Sequence, residues 1–142
     1  MTARTRRASE LSVGQPVPGA ERTLALSDLV AYGAATWDWH RLHYDTAYTA
    51  ARNLPGPVVD GQMWGAILAQ ALVDWLGPGA FIRRLSFRMK GMVFAGEAIR
   101  VEGEVAQVAH DGERGVVTVA LRIRAGDRLA VDPASAEVLL PP

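Results

Sequence analysis

From Asp60 to Leu76 the chain has no proline, and Met63, Ile67, Leu68, Ala71, Leu72 and Trp75 recur at steps of three and four, with Trp64 and Ala66 widening the apolar surface. The spacing predicts a long helix buried on most of its sides and stopped by Gly77-Pro78-Gly79. Beyond it the period changes to two. Over 81–90, Leu85, Phe87 and Met89 face one way while Arg84, Ser86, Arg88 and Lys90 face the other, which is the pattern of a half-buried strand. Ile99, Val101, Gly103 and Val105 alternate with Arg100, Glu102 and Glu104. Val117, Val119, Leu121 and Ile123 alternate with Thr118, Ala120, Arg122 and Arg124, and Asp111-Gly112 and Gly126-Asp127 supply the turns. A last strand runs through Leu129 and Val131, falters at Pro133 and resumes over 136–140, where a bulge or an edge position would accommodate the proline. One helix followed by four antiparallel strands leaves a sheet with one face to cover. The helix is the available cover, so the fold class is α+β, an antiparallel sheet wrapped around one long central helix.

Upstream, Gly14, Pro16, Pro18 and Gly19 punctuate a loop, and Ser27 precedes 28–35 as the capping hydroxyl of a short helix. Residues 36–60 are irregular and rich in candidate site residues, with a helical turn or two over 46–52 before Asn53-Leu54-Pro55-Gly56-Pro57 breaks the chain. Residues 1–10 carry three arginines with no apolar run behind them, so a signal-peptide pattern is incomplete, and they read as a disordered, frayed tail. The domain is then 11–142.

A chain of 142 residues has room for one core. Fifteen basic residues balance fifteen acidic ones, so nothing global draws the protein to nucleic acid or to an anionic membrane, and any basic site is local. The uncharged run 61–73 is far shorter than the ~20 apolar residues of a membrane span. The absence of cysteine removes disulfides, thiolate nucleophiles, iron–sulfur clusters and cysteine-based zinc sites, and suits a cytoplasmic location. No G-x-G-x-x-G follows a strand, so neither a nicotinamide nor a flavin is implied.

Chemistry has few carriers. Of three histidines, His40 and His43 fall in Asp38-Trp39-His40-Arg41-Leu42-His43-Tyr44-Asp45. Asp38 and His43 are the candidate pair: an imidazole takes and returns a proton near neutral pH, and a carboxylate beside it orients a water or fixes the ring tautomer. The plainer reading has Asp38 capping a turn and His43 serving as a buried hydrogen-bonder. His40 and His43 with Asp38 or Asp45 also offer metal ligands, a reading that lacks a further histidine nearby and is set aside. Gly61 opens the predicted buried helix, where unpaired N–H groups suit a carbonyl oxygen that becomes an oxyanion; alternatively it eases the join, with Asp60 as cap. Trp37, Trp39, Trp64 and Trp75 would line an acyl tunnel or simply fill the core.

The run Asp38-x-x-x-x-His43-x-Asp45, then Tyr48-x-Ala50, then Pro57-Val58-Val59-Asp60-Gly61 and a long helix, resembles the hydratase motif of the MaoC-like, (R)-specific enoyl-CoA hydratase family. In its His40-to-Asp45 segment it is closest to the branch that hydrates mesaconyl- and itaconyl-CoA. Asp60 stands where that family usually has histidine before the glycine, and Gln62 where it usually has methionine. The resemblance covers about 20–140 and implies a single hotdog domain. It also implies a hydro-lyase, an acyl dehydratase or hydratase adding water reversibly to a 2-enoyl thioester, with Asp38 and His43 catalytic and Gly61 as the oxyanion donor. No cofactor is implied beyond the substrate's own carrier, coenzyme A or phosphopantetheine. The expected assembly is a homodimer, or a heteromer with a related hotdog chain. A hotdog acyl-CoA thioesterase using Asp60 or Asp74, and a non-catalytic acyl-binding subunit, are the competing readings. The row Arg84, Arg88 and Lys90 is either a solvated outer face or a contact for carrier phosphates.

Overall fold

A computed structural model describes residues 4–141. Its five strands form one antiparallel sheet in the order β1-β3-β4-β5-β2: β1 (Ala20–Thr23), β2 (Phe81–Met89), β3 (Ala98–Asp111), β4 (Arg114–Ala125) and β5 (Arg128–Leu140). Three helices precede β2: α1 (Leu26–Thr36), α2 (Thr46–Ala50) and α3 (Met63–Leu76). The sheet wraps α3, as the periodicities require. Trp64, Ile67, Leu68, Leu72, Trp75 and Leu76 are buried, and they meet Ile99, Val101, Val105, Val117, Val119, Leu121 and Ile123, the expected inward sets of β3 and β4. Strand and helix run in step. A Cβ at Gly65 would sit 3.0 Å from the Phe87 ring, and one at Gly61, in the turn before α3, would collide with the Met89 thioether, so β2 runs along α3 and the turn ahead of it.

Three features depart from the expectations, and a fourth decides between two alternatives. The short β1 falls in the segment read as loop; its four residues have no alternation, and the hydrogen bonds to β3 are what make it a strand. Helix α3 begins at Met63, with Asp60–Gln62 forming a turn ahead of it; Gln62 N–H donates to Asp60 Oδ1 at 2.8 Å and Met63 N–H to Asp60 O at 3.0 Å. Helix α1 is capped by Asp28, whose carboxylate accepts the Ala25 N–H at 2.9 Å, so Ser27 lies inside the first turn and is not the cap. Pro133, with a cis peptide bond from Asp132, sits in a bulge of β5 between β4 and β2, so the bulge alternative holds and the edge alternative does not.

The segment 1–10, expected to be a frayed tail, is held to the domain wherever it is described; residues 1–3 lie outside the described residues. Arg6 N–H and Nε donate to the Leu76 and Trp75 carbonyls at 2.7 and 3.1 Å, satisfying two acceptors that the C-terminus of α3 leaves free. Thr5 Oγ1 accepts from Gly79 N–H at 2.7 Å, and Ala8 is buried where Gly115 leaves room for its methyl. Composition hides this, because nearly all the contacts go to backbone groups of α3 and the turn after it, and one small side chain fills a gap.

The two sheet edges differ. Beside β3, residues 14–17 continue the coverage begun by β1, with Gly14 N–H donating to Val105 O and Val17 N–H to Gly103 O, both at 2.8 Å. The opposite edge, β2, is nine residues long with no strand beyond it among the described residues, and Phe81 and Met89 on it are each 59% exposed. No described helix is long and apolar enough to cross a membrane.

Candidate active site

The site is assembled by the ends of elements. Helix α1 finishes at Thr36, and the chain reverses through Trp37 at φ 59°, placing Asp38 N–H on Gly33 O at 2.9 Å. Gly33 is required for this close return, since a Cβ there would lie 2.7 Å from the Asp38 carbonyl oxygen. Asp38 then accepts the His40 N–H on Oδ1 at 3.1 Å. His40 in turn accepts the Leu42 N–H on its own Nδ1 at 3.1 Å, starting the single 3-10 turn that carries His43. From the other side, the segment before α3 is tied down at three places: Val58 N–H to Leu42 O at 2.9 Å, Val59 N–H to Val93 O at 2.8 Å and Ala95 N–H to Pro57 O at 2.8 Å.

This framework brings Asp38, His43 and Asp60 together, with one donor atom of each within 4.8 Å of the others. Asp38 and His43 are half-buried and Asp60 is buried. His43 Nδ1 lies 2.7 Å from Val58 O. A carbonyl only accepts, so the proton is on Nδ1, and Nε2 of the neutral ring keeps a lone pair. The plain reading of the pair is thus met, since Asp38 Oδ1 and His43 Nδ1 both shape the loop, and Asp38 Oδ2 and His43 Nε2 are the atoms not used in those two contacts.

The structure places Asp60 in the site and adds Tyr32 to it. Asp60 joins the pair because the turn before α3 folds inward; the sequence offered it as a helix cap, as a thioesterase candidate and as a departure from the family's usual histidine. Tyr32 was not singled out at all. Burial, and then the charges of Asp60 and Asp38, push its phenol above its ordinary value, so it remains a neutral O–H beside two carboxylates. Its position one residue before Gly33 was the available signal.

Gly61 follows directly, and among the described residues nothing accepts its N–H. It opens on a cavity of about 240 Å³ lined by Val59, Trp64, Met89, Lys90 and Met92 among others. Of the four tryptophans, Trp64 and Trp75 are core, whereas Trp37 and Trp39 are exposed and stack edge to face at 5.9 Å. Arg84 and Arg88 project from the face of β2 opposite Leu85 and Phe87, away from α3; Lys90 alone of that row reaches the cavity. Arg83 pairs with Glu137 at 2.6 Å and Asp111 at 3.2 Å. Arg84, Arg88 and Lys90 make no ion pair among the described residues. A larger cleft of about 490 Å³ lies on the polar face of the sheet and holds none of the candidate residues; Glu102 there is neutralised by Arg122 and Arg124 at 2.8 and 3.4 Å.

The alternative metal set does not form. His40 caps the 3-10 turn, and Asp45 caps α2 through the Tyr48 N–H at 3.0 Å while pairing with Arg41 at 2.7 Å. Asp38, His43 and Asp60 are the described residues that one cation could bridge. Of the thioesterase candidates, Asp60 is in the cluster. Asp74 is exposed, holds Gln70 at 2.6 Å, and lies roughly 16 Å further along α3 from its first turn, at 1.5 Å per residue.

With this geometry established, comparison places the chain in a family. It matches the MaoC like domain over residues 9–125 and belongs to that family. It is 30% identical over 126 residues to the (R)-specific enoyl-CoA hydratase of Aeromonas caviae, covering 87% of this chain and 92% of that one. The crystal structure of the A. caviae (R)-hydratase superposes with a TM-score of 0.83 at 29% identity over 92% of this chain and 98% of that one. The unliganded R-hydratase of Pseudomonas aeruginosa gives 0.86 at 27%, over 95% and 85%. The fold is the hotdog, and the chain is a homologue of the (R)-specific enoyl-CoA hydratases. The ChsH1-ChsH2 complex of Mycobacterium tuberculosis shares the fold, at a TM-score of 0.81 and 23% identity over 91% and 98%.

The loop carrying His43 has a measurable acid limit. The Tyr48 N–H and then Arg41 hold the Asp45 carboxyl below the usual carboxylate range. Its folded value is therefore depressed, so the cap's contribution is complete above the unfolded-state value and is lost as pH falls through the folded one. An NMR titration should show Asp45 protonating below an ordinary aspartate, with the Tyr48 amide shifting at the same midpoint. In Asp45→Asn that amide should be independent of acid pH. An ordinary midpoint for Asp45 would contradict the capping account.

Proposed function

We propose that this chain is a hydro-lyase that adds water reversibly to a 2-enoyl thioester carried on coenzyme A or phosphopantetheine. The observation that supports it best is the gathering of Asp38, His43 and Asp60 next to Gly61 N–H in a homologue of enoyl-CoA hydratases. A water between Asp38 and His43 gives its proton to Nε2 as its oxygen bonds to C3. The C2–C3 π electrons move toward the thioester oxygen, where Gly61 N–H meets the developing charge. The pair returns the proton to C2, so one water is added with no change of oxidation state. Preorganised donation of this kind contributes about 3 kcal/mol at an oxyanion, and general acid–base help about 10²–10⁴-fold. The proton cycle needs neither a metal nor a second cofactor.

Asp60 gives thioester hydrolysis a specific candidate, a buried carboxylate in the same cluster, so the assay must separate the two reactions. Hydration removes the enoyl absorbance without releasing thiol, and hydrolysis releases free thiol. Asp38→Asn and His43→Ala should each lower hydration of a crotonyl thioester by about 10²-fold or more with the melting temperature retained, and EDTA should leave the wild-type rate unchanged. Full activity in both variants overturns the assignment. Acyl-CoA binding without turnover in the wild type would instead assign a non-catalytic acyl-binding subunit.

The same proposal gives the carrier a binding surface. Lys90 at the cavity, with Arg88 and Arg84 continuing the row along β2, is proposed to meet carrier phosphates, where arginine forks suit phosphate oxygens. Arg84→Ala and Arg88→Ala should raise KM for a CoA ester, an effect that fades with salt, and should hardly change KM for an N-acetylcysteamine thioester that lacks phosphates. Equal effects on both substrates would mean the arginines act through structure.

The bare edge of β2 supports a dimer, because unpaired N–H and C=O groups beside exposed Phe81 and Met89 are completed by the same edge of a second chain. A related hotdog chain could take the same position. Sedimentation at micromolar concentration should give twice the mass of one chain, and an active monomer would contradict this.

A further inference from the structure

Met89 occupies an unusual position for an exposed side chain. It is 59% exposed, yet its thioether lies on the α-carbon of Gly61: a Cβ added there would collide with Sδ and sit 3.2 Å from Cε. The backbone around it is fixed. Lys90 N–H donates to Ala130 O at 2.8 Å, and Met92 O accepts from Arg128 Nη1 at 2.8 Å. The side chain is not, since methionine has three rotatable bonds and no polar partner to hold it. The space beside it is apolar on the Val59 and Trp64 side.

If the Gly61 N–H binds the thioester oxygen, the atoms next to that oxygen are the carbonyl carbon, the sulfur and C2, and they must share the volume in which the Met89 thioether rests. Hydrogen at C2 adds least to this crowding, and a methyl there competes directly with Sδ and Cε. We propose that Met89 is a specificity-determining residue that selects enoyl thioesters unsubstituted at C2. The proposal rests on the hydratase reading above and names the substrate class within it.

The test compares crotonyl-CoA with its 2-methyl analogue, tiglyl-CoA. The wild type should strongly prefer crotonyl-CoA. Met89→Ala removes the three distal heavy atoms and should raise the tiglyl-to-crotonyl ratio of kcat/KM about tenfold or more, mainly through KM for the branched ester, as one methyl group in a tight pocket warrants. Met89→Leu retains the volume and should stay near the wild-type ratio. A merely structural role for Met89 would move both substrates together. An unchanged ratio in Met89→Ala, or a wild type that accepts tiglyl-CoA as readily as crotonyl-CoA, overturns the proposal. Calorimetry with butyryl-CoA and 2-methylbutyryl-CoA, which cannot be hydrated, separates the two readings. Selective binding of the unbranched ester, relaxed in Met89→Ala, with no turnover of either enoyl ester would sink the hydratase assignment alone. Binding without discrimination, or no binding at all, would sink the Met89 assignment.

Discussion

The enclosure of α3 by the sheet is the constraint to which the other elements answer, because a helix with Leu68, Leu72 and Leu76 wholly buried has no stable existence outside it. Each such side chain contributes about 1.5–3 kcal/mol on leaving water. That gain fixes where the helix lies, and so fixes both of its ends. At the C-terminal end the free carbonyls are met by Arg6, which draws in a segment that would otherwise have no reason to be ordered. At the N-terminal end the approach over 57–62 is pulled into the mouth of the sheet, burying Asp60 and bringing it to Asp38 and His43.

The elements carried by side-chain period were legible: α3 and β2 to β5 follow from steps of three and four and of two. What was illegible depends on backbone partners supplied from afar. β1 is a strand because β3 has an edge to be paired, and residues 4–10 are ordered because α3 and β4 leave sites for them. Pro133 shows the intermediate case, where local chemistry required an irregularity but did not say whether the strand was central or at an edge.

The site divides along the same line. Asp38, His43 and Gly61 were candidates from their residue types and from the motif that resembles the family's. Tyr32 and the inward position of Asp60 follow from how α1 and the turn before α3 meet, which depends on Gly33 admitting a carbonyl where any side chain would stand. Asp45 and His40, which share the histidine-rich run, turned out to serve the backbone.

The stretch between Asp38 and Gly61 contains no long element and contributes little to the core, yet it is fastened at each end by backbone hydrogen bonds, at Gly33 O and at Val93 O. Those fastenings are backbone to backbone, the first dependent on Gly33, and between them the side chains of Asp38, His40 and Asp45 hold the turns. Substitutions at its exposed positions that cap nothing redraw the surface of the site, and those in the sheet and α3 decide whether there is a scaffold to hold it. Such a domain can vary the surface around its mouth at these positions while the scaffold behind it is kept.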